Sequence, residues 1–224
     1  MSKRISIIEN IHSANDQLAN ENRQLLDENN VFAINIMASP GAGKTSLIEK
    51  TLSLMPKEYH ISVIDGDVAS RIDSDRALAA GAASAIQINT GGGCHLDANM
   101  FTKALGELNF EETDLVLVEN VGNLICPAGF KLGTHKSILI ASIPEGDDKP
   151  YKYPSMYQGV DVLIINKIDL LPYIHYDMDY FKRGVEVLNP GLITFPLSCY
   201  TGEGIDAWMT WLTENIARYA ARND

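Results

Sequence analysis

Residues 38–46 read ASPGAGKTS, and this stretch decides the fold. It follows an uninterrupted apolar run, VFAINIMA at 31–38, and it opens onto TSLIEKTLSLM at 45–55, whose apolar residues recur at helical spacing. Strand, glycine-rich turn, Lys-Thr and helix in that order form a phosphate-binding loop. Gly41 and Gly43 let the backbone N–H groups from Gly41 through Ser46, Ala42 among them, turn inward on phosphate oxygens. Lys44 adds a charge at the β- and γ-phosphates, and Thr45 offers a hydroxyl to Mg2+. Ala38 stands where the motif usually begins with glycine, a mild departure.

Working outward, further β-rich runs follow: HISVIDG, AIQINT, DLVLVE, SILIAS, VDVLIINK and LITFPLS. Each is separated from the next by enough chain for a crossover helix, which predicts an α/β fold. The expected fold is a P-loop NTPase with a mostly parallel, twisted sheet of about seven strands and helices on both faces. Ligands in such sheets gather at the carboxyl ends of the strands. The reading divides the chain into an N-terminal amphipathic helical extension over 1–30 and a nucleotide-binding domain over 31–224. In the extension, Ile11, Leu18 and Leu25 fall seven residues apart, a stripe suited either to packing on the domain or to a partner.

The base is read from INKID. Asn166, Lys167 and Asp169 end an apolar strand, and a carboxylate at 169 accepts from guanine N1–H and the exocyclic amine together, which adenine cannot reciprocate. Further on, PLSCYTGEG supplies Ser198 and Cys199 as neighbours of the base. Two acidic strand ends serve hydrolysis: VIDGDVASRIDSDR, with Asp65, Asp67 and Asp73, and LVLVENVGN, with Glu119 three residues before Gly122. Thr45, Asp67 and Glu119 are the expected Mg2+ residues, with Asp67, Lys44 and Glu119 as the catalytic set of a GTPase. GTP, GDP and Mg2+ are the corresponding ligands.

A second chemistry lies in GGGCH at 91–95 and ENVGNLICP at 119–127. Cys94, His95 and Cys126 offer two thiolates and an imidazole, one donor short of the four that zinc prefers, so a second copy of the chain or a water would complete the set. Sulfur and nitrogen donors suit Zn2+ or square-planar Ni2+, and the residues do not choose between them. The alternative is that these side chains are buried and inert.

The balance of 18 basic against 29 acidic residues, net −11, removes the electrostatic footprint of a nucleic-acid or anionic-membrane binder. No apolar run approaches a membrane span, and the N-terminal segment turns polar too early for a secretory signal. Three widely spaced cysteines fit reduced thiols and a cytoplasmic setting.

Taken together, ASPGAGKTSL, GGGCHLDANM, ENVGNLICPAGFKLG, PEGDDKPYKYP, INKIDLLPY and TGEGIDAW resemble the HypB family of hydrogenase maturation GTPases. The likeness covers most of 31–208. It implies a homodimer formed with GTP, a metal site at the interface mapping onto Cys94, His95 and Cys126, and delivery of nickel toward a hydrogenase large-subunit precursor. It also implies a HypA-type metallochaperone as partner of the N-terminal arm, and it places Lys149 and Lys152 near the nucleotide or the opposite subunit. Some members carry an N-terminal Cys-x-x-Cys-Gly-Cys motif or a histidine-rich tract; this chain has neither. The competing readings are a urease-accessory type of metallochaperone GTPase, a P-loop kinase, and a structural adaptor.

Overall fold

Seven parallel strands form one sheet in the order β3-β2-β4-β1-β5-β6-β7. The computed structural model describes the backbone of residues 2–67 and 72–221 and the side chains of 13–66 and 72–221. The strands are β1 (Phe32–Ala38), β2 (Ile61–Asp67), β3 (Ser84–Asn89), β4 (Leu115–Glu119), β5 (Lys136–Ser142), β6 (Val162–Asn166) and β7 (Ile193–Pro196). Every apolar run singled out in the sequence supplies one of them. The edge strands β3 and β7 are half-buried or exposed, whereas β1, β4 and β6 are buried throughout. Such continuous apolar strands need cover on both faces, and helices provide it.

Alternate residues of β1 divide between the faces. Ile34 and Ile36 pack beneath α2 (Lys44–Leu54) and α8 (Ile205–Ala220), against Leu47, Ile48, Trp208 and Leu212. Ala33 faces the opposite layer, where Leu26 of α1 (Ser2–Glu28) and Phe101 of α4 (Ala98–Leu105) cover β4. Met37 faces a third cluster built on Tyr157 of α6 (Pro154–Gln158) and on Phe181 and Val185 of α7 (Met178–Leu188). The remaining helices are α3 (Ile72–Ala80), between β2 and β3, and the short α5 (Lys149–Lys152).

The helix at the N-terminus docks by a face that adjoins its heptad stripe, with Leu25 at the margin of the core, and that centres on the neighbouring positions. The side chain of Ile11 lies outside the described residues; Leu18 and Leu25 are half-buried, while Asn15, Ala19, Asn22 and Leu26 are buried. Asn22 donates to the carbonyls of Ala98 (2.9 Å) and Leu132 (3.0 Å) and accepts from the Thr102 hydroxyl (2.8 Å). Asn15 accepts from Ala98 N–H (2.9 Å) and donates to the Lys131 carbonyl (2.9 Å). Arg23 reaches the carbonyls of Gly133, at 2.7 Å, and Thr134. Amide hydrogen bonding to otherwise orphaned backbone groups carries no hydrophobic periodicity, so an apolar count misses it.

Gly133 is the point of closest approach: its φ is +100°, and a Cβ there would stand 2.3 Å from the Ala19 carbonyl oxygen. Gly133→Ala is therefore expected to cost about 2 kcal/mol or more through strain and lost docking. Denaturant unfolding should show the loss, and amide exchange should place it first in residues 15–26.

Candidate functional site

The phosphate loop is closed from behind by the base loop. Gly43 sits at φ +109°, and a Cβ there would fall 2.3 Å from Asn166 Nδ2, so no other residue admits this approach. Asn166 Nδ2 donates to the Ala42 carbonyl at 2.9 Å, and its Oδ1 accepts from Lys167 N–H (2.8 Å) and Cys199 N–H (3.2 Å). Lys167 Nζ donates to the Gly41 carbonyl at 2.7 Å. Asn166 thus binds three loops to one another, a scaffolding part that its motif does not display.

α2 starts at Lys44, so its N-terminal N–H groups and positive dipole end face the cradle. Lys44 is buried, with Nζ 4.0 Å from Glu119 Oε1, and the Thr45 hydroxyl donates to the same oxygen at 2.9 Å. A cavity of about 300 Å³ opens here, lined by Pro40, Lys44, Asp65, Asp73, Glu119 and Gly122. The structure therefore brings Lys44, Thr45 and Glu119 together. Asp67 ends β2 at the same edge of the sheet, but its side chain lies outside those described. Asp73 is held by Arg76, which also grips Glu49 at 2.7 and 2.8 Å.

Burial raises the pKa of Glu119 to about 7 against the pull of Lys44 and the Thr45 hydroxyl, and Asp65 and Asp73 push the same way as burial. A buried carboxylate this short of positive charge, with a hydroxyl and a second carboxylate strand beside it, is a donor set that fits Mg2+.

At the base end, Asp169 Oδ1 is buried with no hydrogen-bond partner among the described residues. It is an acceptor suited to the paired donors of guanine. Ser198 is fully buried, and its hydroxyl accepts from Thr201 N–H at 3.1 Å. Its side chain shapes the loop, and the neighbouring Cys199 thiol, pushed by burial to about 11, stays protonated. A second cavity, about 490 Å³, runs from Ser46 and Lys50 to Lys167, Cys199 and Tyr200. Lys149 and Lys152 both pair with Asp148 of their own chain, Lys149 at 2.7 Å.

The thiols and the imidazole meet. One ligand atom from each of Cys94, His95 and Cys126 lies within 4.8 Å of the others, with Cys94 Sγ 3.6 Å from His95 Nδ1. His95 stacks on Phe130, centroids 3.9 Å apart, and burial lowers its pKa toward the neutral form that binds metals. A hydrogen bond with Cys126 holds the Cys94 thiol above its ordinary range, a proton that a metal would displace.

Two residues not singled out as site residues in the sequence hold this cluster in place. Asn120 Oδ1 accepts from Leu96 N–H (3.1 Å) and its Nδ2 donates to Asn35 (3.1 Å). Asn123 Nδ2 donates to the Cys94 carbonyl at 3.3 Å. Glu145, likewise unforeseen, accepts from the Ser39 hydroxyl of the phosphate loop and from Ser142 N–H at 2.6 Å. The only available signal was the spacing of the two asparagines in ENVGN.

Glu119 yields a pH test in protein free of nucleotide and Mg2+. Between its ordinary value of 4.5 and about 7, the folded protein keeps a proton that the unfolded chain has lost, so this group's contribution to stability falls as pH rises through that window. Glutamine cannot ionise. From pH 5 to pH 8 the stability of Glu119→Gln relative to wild type should shift in the variant's favour by about 2 kcal/mol, read from denaturant midpoints at the two values.

The family described as CobW/HypB/UreG, nucleotide-binding domain, matches residues 32–195. The hydrogenase maturation factor HypB of Rhizobium leguminosarum bv. viciae is 43% identical over 219 residues, spanning 98% of this chain and 73% of that protein. Among solved structures, HypB from Archaeoglobus fulgidus superposes with a TM-score of 0.84 at 37% identity, over 91% of this chain and 99% of that one. HypB from Helicobacter pylori in complex with nickel does so with a TM-score of 0.86 at 33% identity, over 92% and 96%. A likeness of this identity over nearly the whole chain shows that the chain belongs to the HypB family of hydrogenase maturation factors.

Proposed function

We propose that this protein binds and hydrolyses GTP with Mg2+, pairs with a second copy when GTP is bound, and carries nickel at Cys94, His95 and Cys126 for insertion into a nickel-iron hydrogenase precursor. The observation that carries this reading is placement. Glu119, which ends β4 and lines the phosphate cavity, leads along one continuous segment to Cys126 of the cluster. A rearrangement that accommodates a γ-phosphate therefore reaches the metal donors.

In the hydrolytic step, Lys44 and the N–H groups from Gly41 to Ser46 hold the β- and γ-phosphates, and charge developing there is met by groups already in place. Thr45 and Glu119, with Asp67 from the end of β2, would hold Mg2+, which would supply positive charge to offset that of the phosphates. Asp169 selects guanine over adenine, which favours this reading over a small-molecule kinase. Slow turnover is expected, since among the described residues Arg76, which pairs with Asp73 of the cavity, is also bound by Glu49.

The metal is cargo. Two thiolates and an imidazole per chain leave a tetrahedral or square-planar ion incomplete, and a twofold partner supplies the remaining donors. Zn2+ competes for the same donors. A HypA-type chaperone is assigned to the N-terminal helix, whose solvent side remains exposed at residues such as Gln17, Glu21 and Gln24 while its amide face is docked. Nucleic acid and membrane are not expected partners, given the charge of −11. Among the described residues no helix is long and apolar enough to cross a membrane.

Two outcomes test the reading. Asp169→Asn should weaken GTP binding by about 10- to 100-fold, the cost of a lost charge-assisted pair, and should improve binding of xanthosine triphosphate, whose C2 carbonyl accepts from the new amide. Titration with Ni2+ and with Zn2+ should give one metal per chain or per dimer, with the dimer fraction higher under a non-hydrolysable GTP analogue than under GDP. Cys94→Ala should remove the uptake while leaving GTP binding in place. Uptake that survives this change would refute the metal assignment.

A further inference from the structure

We infer that Asn123 is the positioning residue that couples the phosphate loop to the metal cluster; this rests on the nickel-carrying reading above. Its backbone N–H donates to the carbonyl of Ala38, where β1 becomes the phosphate loop, at 2.8 Å. Its side chain then spans the two halves of the cluster. Nδ2 donates to the carbonyl of Cys94 at 3.3 Å, and Oδ1 accepts from Ile125 N–H at 2.8 Å, one residue before Cys126.

One residue therefore touches the nucleotide cradle, the backbone of the first thiol and the turn that carries the second. Gly122 beside it leaves no slack: a Cβ there would stand 3.0 Å from Pro40 N. When the loop from Ala38 to Pro40 shifts, the segment from 120 to 126 shifts with it, and the amide converts that shift into a change of spacing between Cys94 and Cys126. Because a thiolate pair binds a metal only over a narrow range of separations, small displacements change affinity.

Asn120 is a worse candidate for this part. It is fully buried and joins Leu96 N–H, Val121 N–H and Asn35, so removing its amide leaves several buried groups unpaired and damages the fold. Asn123 is half-buried, and its side chain can be altered with less harm. Asn123→Asp keeps the shape and the acceptor for Ile125 N–H but deletes the donor to Cys94 and sets two acceptors face to face. Its backbone bond to Ala38 is unaffected.

The experiment is a thermodynamic cycle on the full chain: Ni2+ affinity in the presence of GDP and of a non-hydrolysable GTP analogue, for wild type, Asn123→Asp and Asn123→Ser. Wild type should show a ratio of affinities of about 5-fold or more. Both variants should bring that ratio close to one while Ni2+ still binds in the GDP state. A variant that keeps the wild-type ratio overturns this inference and leaves nickel carriage standing. Loss of Ni2+ binding equally in both states also overturns it, making Asn123 a scaffold of the cluster. A wild-type ratio of one, by contrast, removes the coupling itself and this inference with it.

Discussion

Two backbone hydrogen bonds carry the architecture of this site past the end of the sheet: Asn120 N–H to the Ile36 carbonyl at 3.0 Å, and Asn123 N–H to the Ala38 carbonyl at 2.8 Å. They extend the β1–β4 pairing, which runs from Phe32–Leu115 to Ile36–Glu119, along the last residues of β1 after β4 has become a loop. The segment after β4 is thereby pinned to the phosphate loop while it crosses toward the Cys-His loop after β3. Without that pinning the cavity around Glu119 and the thiol cluster would be separate features of one sheet edge. With it they share a support.

Electrostatics gives the same edge its chemical direction. Glu119 is buried beside Asp65, its register partner on β2, and burial raises its pKa, with Asp65 and Asp73 adding to the shift. Asp169 presents a buried acceptor, and Cys94 holds a proton against Cys126. In the isolated chain two of these carry a cost: a carboxyl is buried at Glu119, and the Asp169 acceptor has no hydrogen-bond partner among the described residues. A ligand that satisfied these groups would add to stability by mass action.

The fold was legible because hydrophobic burial writes itself into periodicity. Buried parallel strands read as continuous apolar runs, and the Lys44-Thr45 pair after a glycine turn reads as a helix start on phosphate. The meeting of Cys94, His95 and Cys126 was suggested by the placement of both segments at strand ends. What stayed hidden were amide contacts over long sequence separations: Asn22 to Ala98 and Leu132, Asn120 to Leu96, and Asn166 to Ala42. An asparagine that satisfies backbone groups of a distant loop leaves no pattern in its own neighbourhood. This is also why the heptad stripe of the N-terminal helix pointed to Leu18 and Leu25 when the buried face is centred on Asn15, Ala19, Asn22 and Leu26.

The central claim is that nucleotide state reaches the metal cluster through the segment after β4. Amide hydrogen exchange, comparing GDP with a non-hydrolysable GTP analogue and Mg2+ in metal-free protein, tests it most directly. Protection is expected to change together in residues 39–46, 120–126 and 92–97. A change confined to 39–46, with 92–97 and 120–126 the same in both states, would contradict it.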